Sequence, residues 1–143
     1  MHYPRYVGSV AGAAPLRMQL GTLSTSVARV VGITACGESA AGAASRPFLV
    51  RPLTPGLGLS ASVGKLSPGS SDPVSTLINT FSSAPSTPSV PSLSFNLPVR
   101  VVWTAPTDQG VLVGGQGVAD YVLLYANAAD EHTWTGSLTW EEL

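Results

Sequence analysis

The chain has 143 residues, of which only 10% are charged, and a formal net charge of −1. About a quarter of the residues in an average soluble domain are charged, so we expect a surface of Ser, Thr, Asn and Gln together with faces that partners cover. The arginines form no basic patch, and no apolar run approaches the roughly 20 residues that span a bilayer. We therefore expect neither a nucleic acid nor a membrane as a partner.

Short runs rich in Val, Leu, Ile, Thr and aromatic residues follow one another between glycines and prolines. They lie at 17–23, 27–36, 46–53, 57–66, 94–105, 110–114, 120–127 and 134–143. Strand-like runs at intervals of roughly 8–12 residues predict an all-β sandwich or barrel. The length allows one domain, and we expect a single β-sandwich domain over 17–143, preceded by an N-terminal arm at 1–16.

The segment SDPVSTLINTF, at 71–81, predicts one short helix. Ser71 or Asp72 can cap its N-terminus, and Pro73 fits the first helical position. Apolar residues then follow at intervals of three or four, as they do on the buried face of a helix.

The Ser/Pro-rich segment at 82–92 follows this helix and carries no charged residue. Its prolines recur at every third residue, as Pro85, Pro88 and Pro91, which favours an extended, polyproline-like course. Such a segment can lie along a neighbour at a low entropic cost. We expect an extended Pro-rich loop that contacts other subunits. The three prolines are interface candidates, and so is Arg100, because arginine is preferred at ordered contacts.

Two connections carry turn residues. The residues APTDQG at 105–110 predict a hairpin between the strands that flank them, with Pro106 and Gly110 in turn positions. The residues VGGQG at 113–117 predict a second, glycine-rich turn.

The run DYVLLYAN is apolar on both faces of the strand that it predicts. Tyr121, Leu123 and Tyr125 share one face, and Val122 and Leu124 share the other. A strand of this kind is central in a packed sandwich or carries a partner on its outer side. We take Val122 and Leu124 as further interface candidates.

The last run predicts a strand with one buried face. Trp134, Leu138 and Trp140 alternate with Thr, Ser and Glu residues, so the three apolar side chains are core candidates. In the run at 94–105, Val101 and Trp103 are core candidates as well.

No set of residues predicts an active site or a metal site. GLSAS at 58–62 lacks the last glycine of a nucleophile elbow, and GGQG at 114–117 lacks the lysine of a phosphate loop. DEH at 130–132 lacks a second group of ligands, so we interpret it as a solvated turn. Cys36 lies in an apolar run, where we expect a buried side chain. We expect no catalytic, cofactor-binding or metal-binding residue, no small-molecule substrate, and a chain that is not an enzyme.

The order of several features carries a resemblance. The β run ARVVGITACGES is followed by the turn AAGAASRP and the strand FLVRPL. After the Pro-rich segment come the Gly-rich stretch DQGVLVGGQGVADYVLLY and the closing strand GSLTWEEL. In this pattern and in its Ala/Gly/Ser/Thr/Pro-rich composition the chain resembles the small virion structural proteins of tailed bacteriophages, of the capsid decoration or cement type.

The resemblance implies a β-sandwich, often a jelly roll, that decorates and stabilises the capsid and has no catalytic residues. The implied partners are the major capsid protein and copies of the chain itself, in a trimer. The implied location is the capsid surface of the virion, after assembly in the host bacterial cytoplasm.

Two alternatives remain open. One is a tail, neck or fibre component of the virion. The other is a carbohydrate- or surface-binding β-sandwich module, in which aromatic side chains stack on sugar rings: Trp103, Trp134, Trp140, Tyr121 and Tyr125. For Trp134 and Trp140, a place in the core is the competing interpretation.

Overall fold

The computed structural model describes residues 3–13, 16–38, 47–88, 93–94, 100–126 and 133–143. These residues form strands and no helix. The strands are β1 (Arg5–Ala13), β2 (Leu16–Thr22), β3 (Val27–Glu38), β4 (Phe48–Val50), β5 (Leu57–Ser60), β6 (Val63–Lys65), β7 (Thr76–Ser83), β8 (Leu93–Ser94), β9 (Arg100–Thr104), β10 (Val111–Gly114), β11 (Asp120–Ala126) and β12 (Thr133–Glu142).

The strands are arranged in two six-stranded sheets, and neighbouring strands are antiparallel. Sheet A has the order β10-β3-β12-β1-β6, and β9 pairs with a second stretch of β3. Sheet B has the order β5-β7-β2-β11-β4-β8. The C-terminal strand β12 lies between β1 and β3, so strands from both ends of the chain are neighbours in sheet A. The predicted all-β class is confirmed.

One hydrophobic core lies between the sheets. Sheet A contributes Tyr6, Ile33, Val101, Trp134, Leu138 and Trp140, and sheet B contributes Leu16, Met18, Leu20, Leu77 and Leu124. The alternation of β12 places both of its tryptophans in this core, fully buried. Trp103 is partly buried and packs against the margin of the core.

Strand β1 occupies the region where we expected an arm outside the domain. It is an interior strand of sheet A, between β12 and β6, and its Tyr6 side chain is buried in the core. A Cβ at Gly8 would lie 2.0 Å from Cδ2 of Leu77, so glycine is needed where sheet A meets sheet B. The small residues that permit this close packing carry little hydrophobic alternation. The sequence of β1 therefore gives only a weak strand pattern.

The expected helix at 71–81 is wrong, because Thr76–Ser83 form β7, between β5 and β2. The β-branched residues Thr76, Ile78 and Thr80 favour a strand. Of its apolar side chains only Leu77 is fully buried. Tertiary pairing on both sides of β7 therefore overrides the helical spacing of its apolar residues.

The residues before β7 are fastened to the end of β12. The Glu142 carboxylate accepts hydrogen bonds from the backbone N–H groups of Val74 and Ser75, at 2.8 and 2.7 Å, and from the Ser75 hydroxyl at 2.6 Å. A side chain of sheet A thus satisfies the donors that a helix cap was expected to satisfy.

Residues 84–88 of the Ser/Pro-rich segment run beside residues of the same chain. The backbone N–H of Ser86 donates a hydrogen bond to the carbonyl of Thr54 at 3.0 Å, and Pro85 and Pro88 are half-buried. Residues 89–92, which include Pro91, lie outside the described part of the chain. A role for this segment between subunits stays a prediction.

The connection at 105–110 is not a hairpin. Both β9 and β10 pair with β3, β9 along Gly32–Cys36 and β10 along Val27–Val30, and they run in the same direction. Residues 105–110 are therefore an insertion between two collinear segments of one sheet edge. The predicted turn at 113–117 does connect two strands, and Gly114, Gly115 and Gly117 have positive φ there.

Val122 and Leu124 of β11 lie in the core, whereas we expected them at an interface. The opposite face of β11 carries Tyr121, Leu123 and Tyr125, of which Leu123 is fully buried. The strand is central in sheet B, between β2 and β4. Of the two arrangements that a strand apolar on both faces allows, β11 therefore has the central position in a packed sandwich.

Candidate functional site

A row of three charged side chains crosses the outer face of sheet A. Arg5 of β1, Glu141 of β12 and Arg29 of β3 are direct neighbours in the ladder. Arg5 Nη2 lies 2.7 Å from Glu141 Oε1, and Arg29 Nη2 lies 2.6 Å from Oε2. The exposed fraction of the side chain is 8% for Glu141, 12% for Arg29 and 54% for Arg5. One nearly buried carboxylate therefore binds two guanidinium groups.

The pKa of Glu141 follows from this geometry. Burial alone would raise the pKa of the carboxyl, but hydrogen bonds from Arg29 and Arg5 outweigh burial and hold it below its usual value. The same ion pair raises the pKa of Arg29. Glu141 is therefore ionised throughout the neutral range. Both of its arginine partners belong to the same chain.

The row forms part of the floor of a polar groove with a volume of about 900 Å³. We call it the sheet A groove. One wall is the insertion at 105–110 and the opposite wall includes Tyr3 and Ser67, while Gly32 and Thr139 extend the floor.

A bulge in β3 and the insertion that begins beside it both line this groove. The register on β12 passes from Gly32 directly to Val30, so Val31 is a bulged residue. On the other side of β3, the Val31 carbonyl accepts a hydrogen bond from the backbone N–H of Ala105 at 2.8 Å, where the insertion begins. Bulges of this kind are over-represented beside functional sites because they redirect side chains.

A second groove, with a volume of about 210 Å³, lies at the surface of sheet B, and we call it the sheet B groove. Among the described residues its lining has no Asp, Glu, Lys or Arg. The apolar lining residues are Leu23, Leu57, Val74, Ile78, Ala119 and Tyr121. Leu23, Leu57 and Val74 are 56%, 65% and 53% exposed, so the rim of the groove presents large hydrophobic side chains to solvent.

Strand β5 continues this apolar surface at the edge of sheet B. All four of its residues are exposed, and Leu59 is 73% exposed. In the described part of the chain β5 pairs with β7 alone. An edge without charge or proline is the type that other chains extend or cover.

A clasp fixes the segment that leads into β5. The buried side chain of Gln19 donates from Nε2 to the Gly56 carbonyl at 3.0 Å, and its Oε1 accepts from the Gly56 N–H at 2.8 Å. A Cβ at Gly56 would lie 2.5 Å from Cδ1 of Phe81 and 2.8 Å from Cδ of Pro85. Pro85 therefore helps to hold the β5 segment in place within its own chain.

Two other predicted residues lie on the outer face of sheet A. Arg100 is exposed at the start of β9, opposite Cys36 of β3. Cys36 is also exposed, so the expected burial of this thiol is wrong: its neighbour Ala35 takes the inward position. DEH at 130–132 lies outside the described residues.

The described residues contain no group of three or more His, Cys, Asp or Glu side chains placed to hold a metal ion. Nor do they contain a helix long and apolar enough to cross a membrane.

Comparisons with protein-family models, with curated proteins and with solved structures found no match.

Sequence reasoning missed both grooves. Tyr3, Arg5, Arg29 and Glu141 come from three strands and a terminal segment, and nothing in their spacing brings them together. One signal was available in the sequence. The alternation of β12 places Glu141 on the outer face of its strand, where the carboxylate can bind an arginine.

Proposed function

We propose that this chain is a non-enzymatic virion structural protein with a jelly-roll-like sandwich, which decorates and stabilises a phage capsid. It acts through contacts with the major capsid protein and with copies of itself. The observation that carries the proposal is the uncharged apolar surface formed by the sheet B groove and β5. Leu57, Leu59 and Val74 are all more than half exposed there.

An exposed apolar surface favours association. Fully burying a leucine side chain contributes about 1.5–3 kcal/mol, so a contact over these residues has a favourable hydrophobic component before any polar contact is counted. The low charge of the chain adds little repulsion between copies. Modest contacts repeated over a shell add up through avidity and stabilise the assembled state, which alone offers all of them.

Co-sedimentation of the purified chain with shells of the phage that encodes it tests this proposal. We expect the wild-type chain to bind, and a Leu57→Ser/Leu59→Ser double variant to lose at least about tenfold in affinity, or 1.4 kcal/mol. Leu112→Ser is the matched control, because Leu112 is 51% exposed but lies on β10 of sheet A.

Size measurement by multi-angle light scattering, with the same three proteins, tests the contacts between copies. A wild-type chain that stays monomeric and binds no shell contradicts the proposal. A double variant that binds as well as wild type contradicts the assignment of the surface.

A further inference from the structure

The sheet A groove has the dimensions of a ligand site. Its volume of about 900 Å³ lies within the range of roughly 300–1,000 Å³ that is typical of small-molecule sites. It lies on the outer face of sheet A, while the surface proposed for assembly is on sheet B. Its use is therefore independent of the proposed capsid role.

The charges of the groove are balanced. Arg5 and Arg29 are matched by Glu141 on the floor and by Asp108 on the wall. Asp108 is 87% exposed, and its Oδ1 lies 4.0 Å from Arg29 Nη2, too far for a hydrogen bond. An anion that enters the groove would meet this carboxylate at the rim, and a cation would meet the arginines. The groove is therefore suited to an uncharged ligand.

Its polar groups include both donors and acceptors. Thr104, Thr107, Gln109 and Ser67 line the groove, and hydroxyl and amide groups can serve in either role. A ligand that is rich in hydroxyl groups needs both hydrogen-bond donors and acceptors along its length. Hydrogen bonds already hold the Glu141 and Arg29 side chains in one geometry. A ligand that binds their remaining donors and acceptors therefore does not have to order these side chains.

An aromatic ring completes the lining. Tyr3 is 37% exposed, and the Arg29 guanidinium carbon lies 6.0 Å from the centroid of its ring. This distance is at the outer limit of a cation–π contact, and Tyr3 lines the groove. A sugar ring has an apolar C–H face and a perimeter of hydroxyl groups, which match an aromatic surface beside polar side chains.

We propose that the sheet A groove binds an uncharged oligosaccharide. Tyr3 stacks against a sugar ring, and Gln109 and Asp108 bind hydroxyl groups. Trp134 and Trp140, two of the five aromatic residues named for sugar stacking from the sequence, are in the core. The aromatic residue of this proposed site is Tyr3 instead.

An array of immobilised neutral, sialylated and sulfated oligosaccharides, probed with the full chain, identifies the class of ligand. Calorimetric titration with the best neutral trisaccharide then measures affinity. We expect binding to neutral glycans, little change on raising the salt concentration, and at least a tenfold loss of affinity in Tyr3→Ala and in Gln109→Ala. Tyr3→Phe keeps the ring and is expected to stay within about twofold of wild type.

Leu112→Ala is the control, because Leu112 is 51% exposed on β10 of sheet A and does not line the groove. Gln109 is exposed on the insertion, so its variant keeps the test valid even if Tyr3→Ala perturbs the fold. The proposal is overturned if no oligosaccharide binds the full chain, or if only sialylated or sulfated glycans bind. It is also overturned if Tyr3→Ala and Gln109→Ala both bind as tightly as wild type.

Discussion

Replacing Glu141 by glutamine should remove the charge that holds three strands in register. The substitution keeps the size of the side chain but leaves Arg5 and Arg29 facing a neutral amide. Because β1, β12 and β3 meet at this row, their pairing loses the two charged cross-strand interactions of Glu141. The fold should persist, since the tryptophans of β12 remain buried in the core.

The magnitude lies between two limits. Breaking a fully buried pair by removing one partner costs about 3–5 kcal/mol, and an exposed pair contributes about 0–1 kcal/mol. The Glu141 side chain is 8% exposed, but Arg5 is 54% exposed. We therefore expect Glu141→Gln to lower the free energy of unfolding by about 2 kcal/mol, which is a large part of the roughly 5–15 kcal/mol of a typical domain.

Urea denaturation followed by tryptophan fluorescence measures this change. With a slope of about 2 kcal/mol per molar, the midpoint should fall by about 1 M. Arg29→Gln should lower the midpoint more than Arg5→Gln does, because Arg29 is the more buried arginine. A loss below about 0.5 kcal/mol in Glu141→Gln, which is the size expected of an exposed ion pair, would refute the reasoning. An equal effect of the two arginine variants would refute it as well.

The pH dependence provides a second check on the same row. The folded-state pKa of Glu141 is lowered, so its contribution is fully present above the unfolded pKa of about 4.3 and is lost as the pH falls through the folded value. The difference in stability between wild type and Glu141→Gln should be constant from pH 5 to 8 and narrow below pH 4, where these approximate limits follow from that unfolded value. A difference that stays constant down to about pH 2 would mean that the carboxylate charge is not the cause.

Two further predictions concern the carboxylates of Glu142 and Asp120, each of which binds residues outside its own strand. Glu142→Ala removes the acceptor for Val74 and Ser75 and should cost about 1.5–3 kcal/mol in urea denaturation, whereas a cost below 0.5 kcal/mol would show that water replaces it. Asp120 binds Arg51 and the Gly114 N–H; burial acts to raise its pKa, but the hydrogen bonds outweigh it and lower the pKa. Asp120→Ala should therefore cost about 2 kcal/mol at pH 7 and less below pH 4, and a cost that does not depend on pH would contradict this assignment.

The strands with strong alternation could be predicted from the sequence, and the close-packed ones could not. β12 shows its faces in the spacing of Trp134, Leu138 and Trp140, and the structure places all three in the core. β1 carries little such signal, because Gly8 and its small neighbours are selected by the space in front of Leu77. That space exists only after the sheets have packed.

The wrong helix has a related cause. The apolar residues of 71–81 fit intervals of three and four, and Ser71, Asp72 and Pro73 fit a helix start. The donors of this segment instead bind Glu142, which is distant in the chain, and β7 pairs on both sides. Long-range pairing of this kind leaves no mark in a local pattern. For the same reason the residues of both grooves, which come from separate strands, could not be assembled from spacing.

Quantitative mass spectrometry of purified particles tests the proposed location of this chain in a virion shell most directly. We predict that the chain is present in particles and in a fixed ratio to the major capsid protein, as repeated contacts over a shell require. Absence from purified particles would contradict the account. A few copies per particle would contradict the shell location and support a tail or neck component instead.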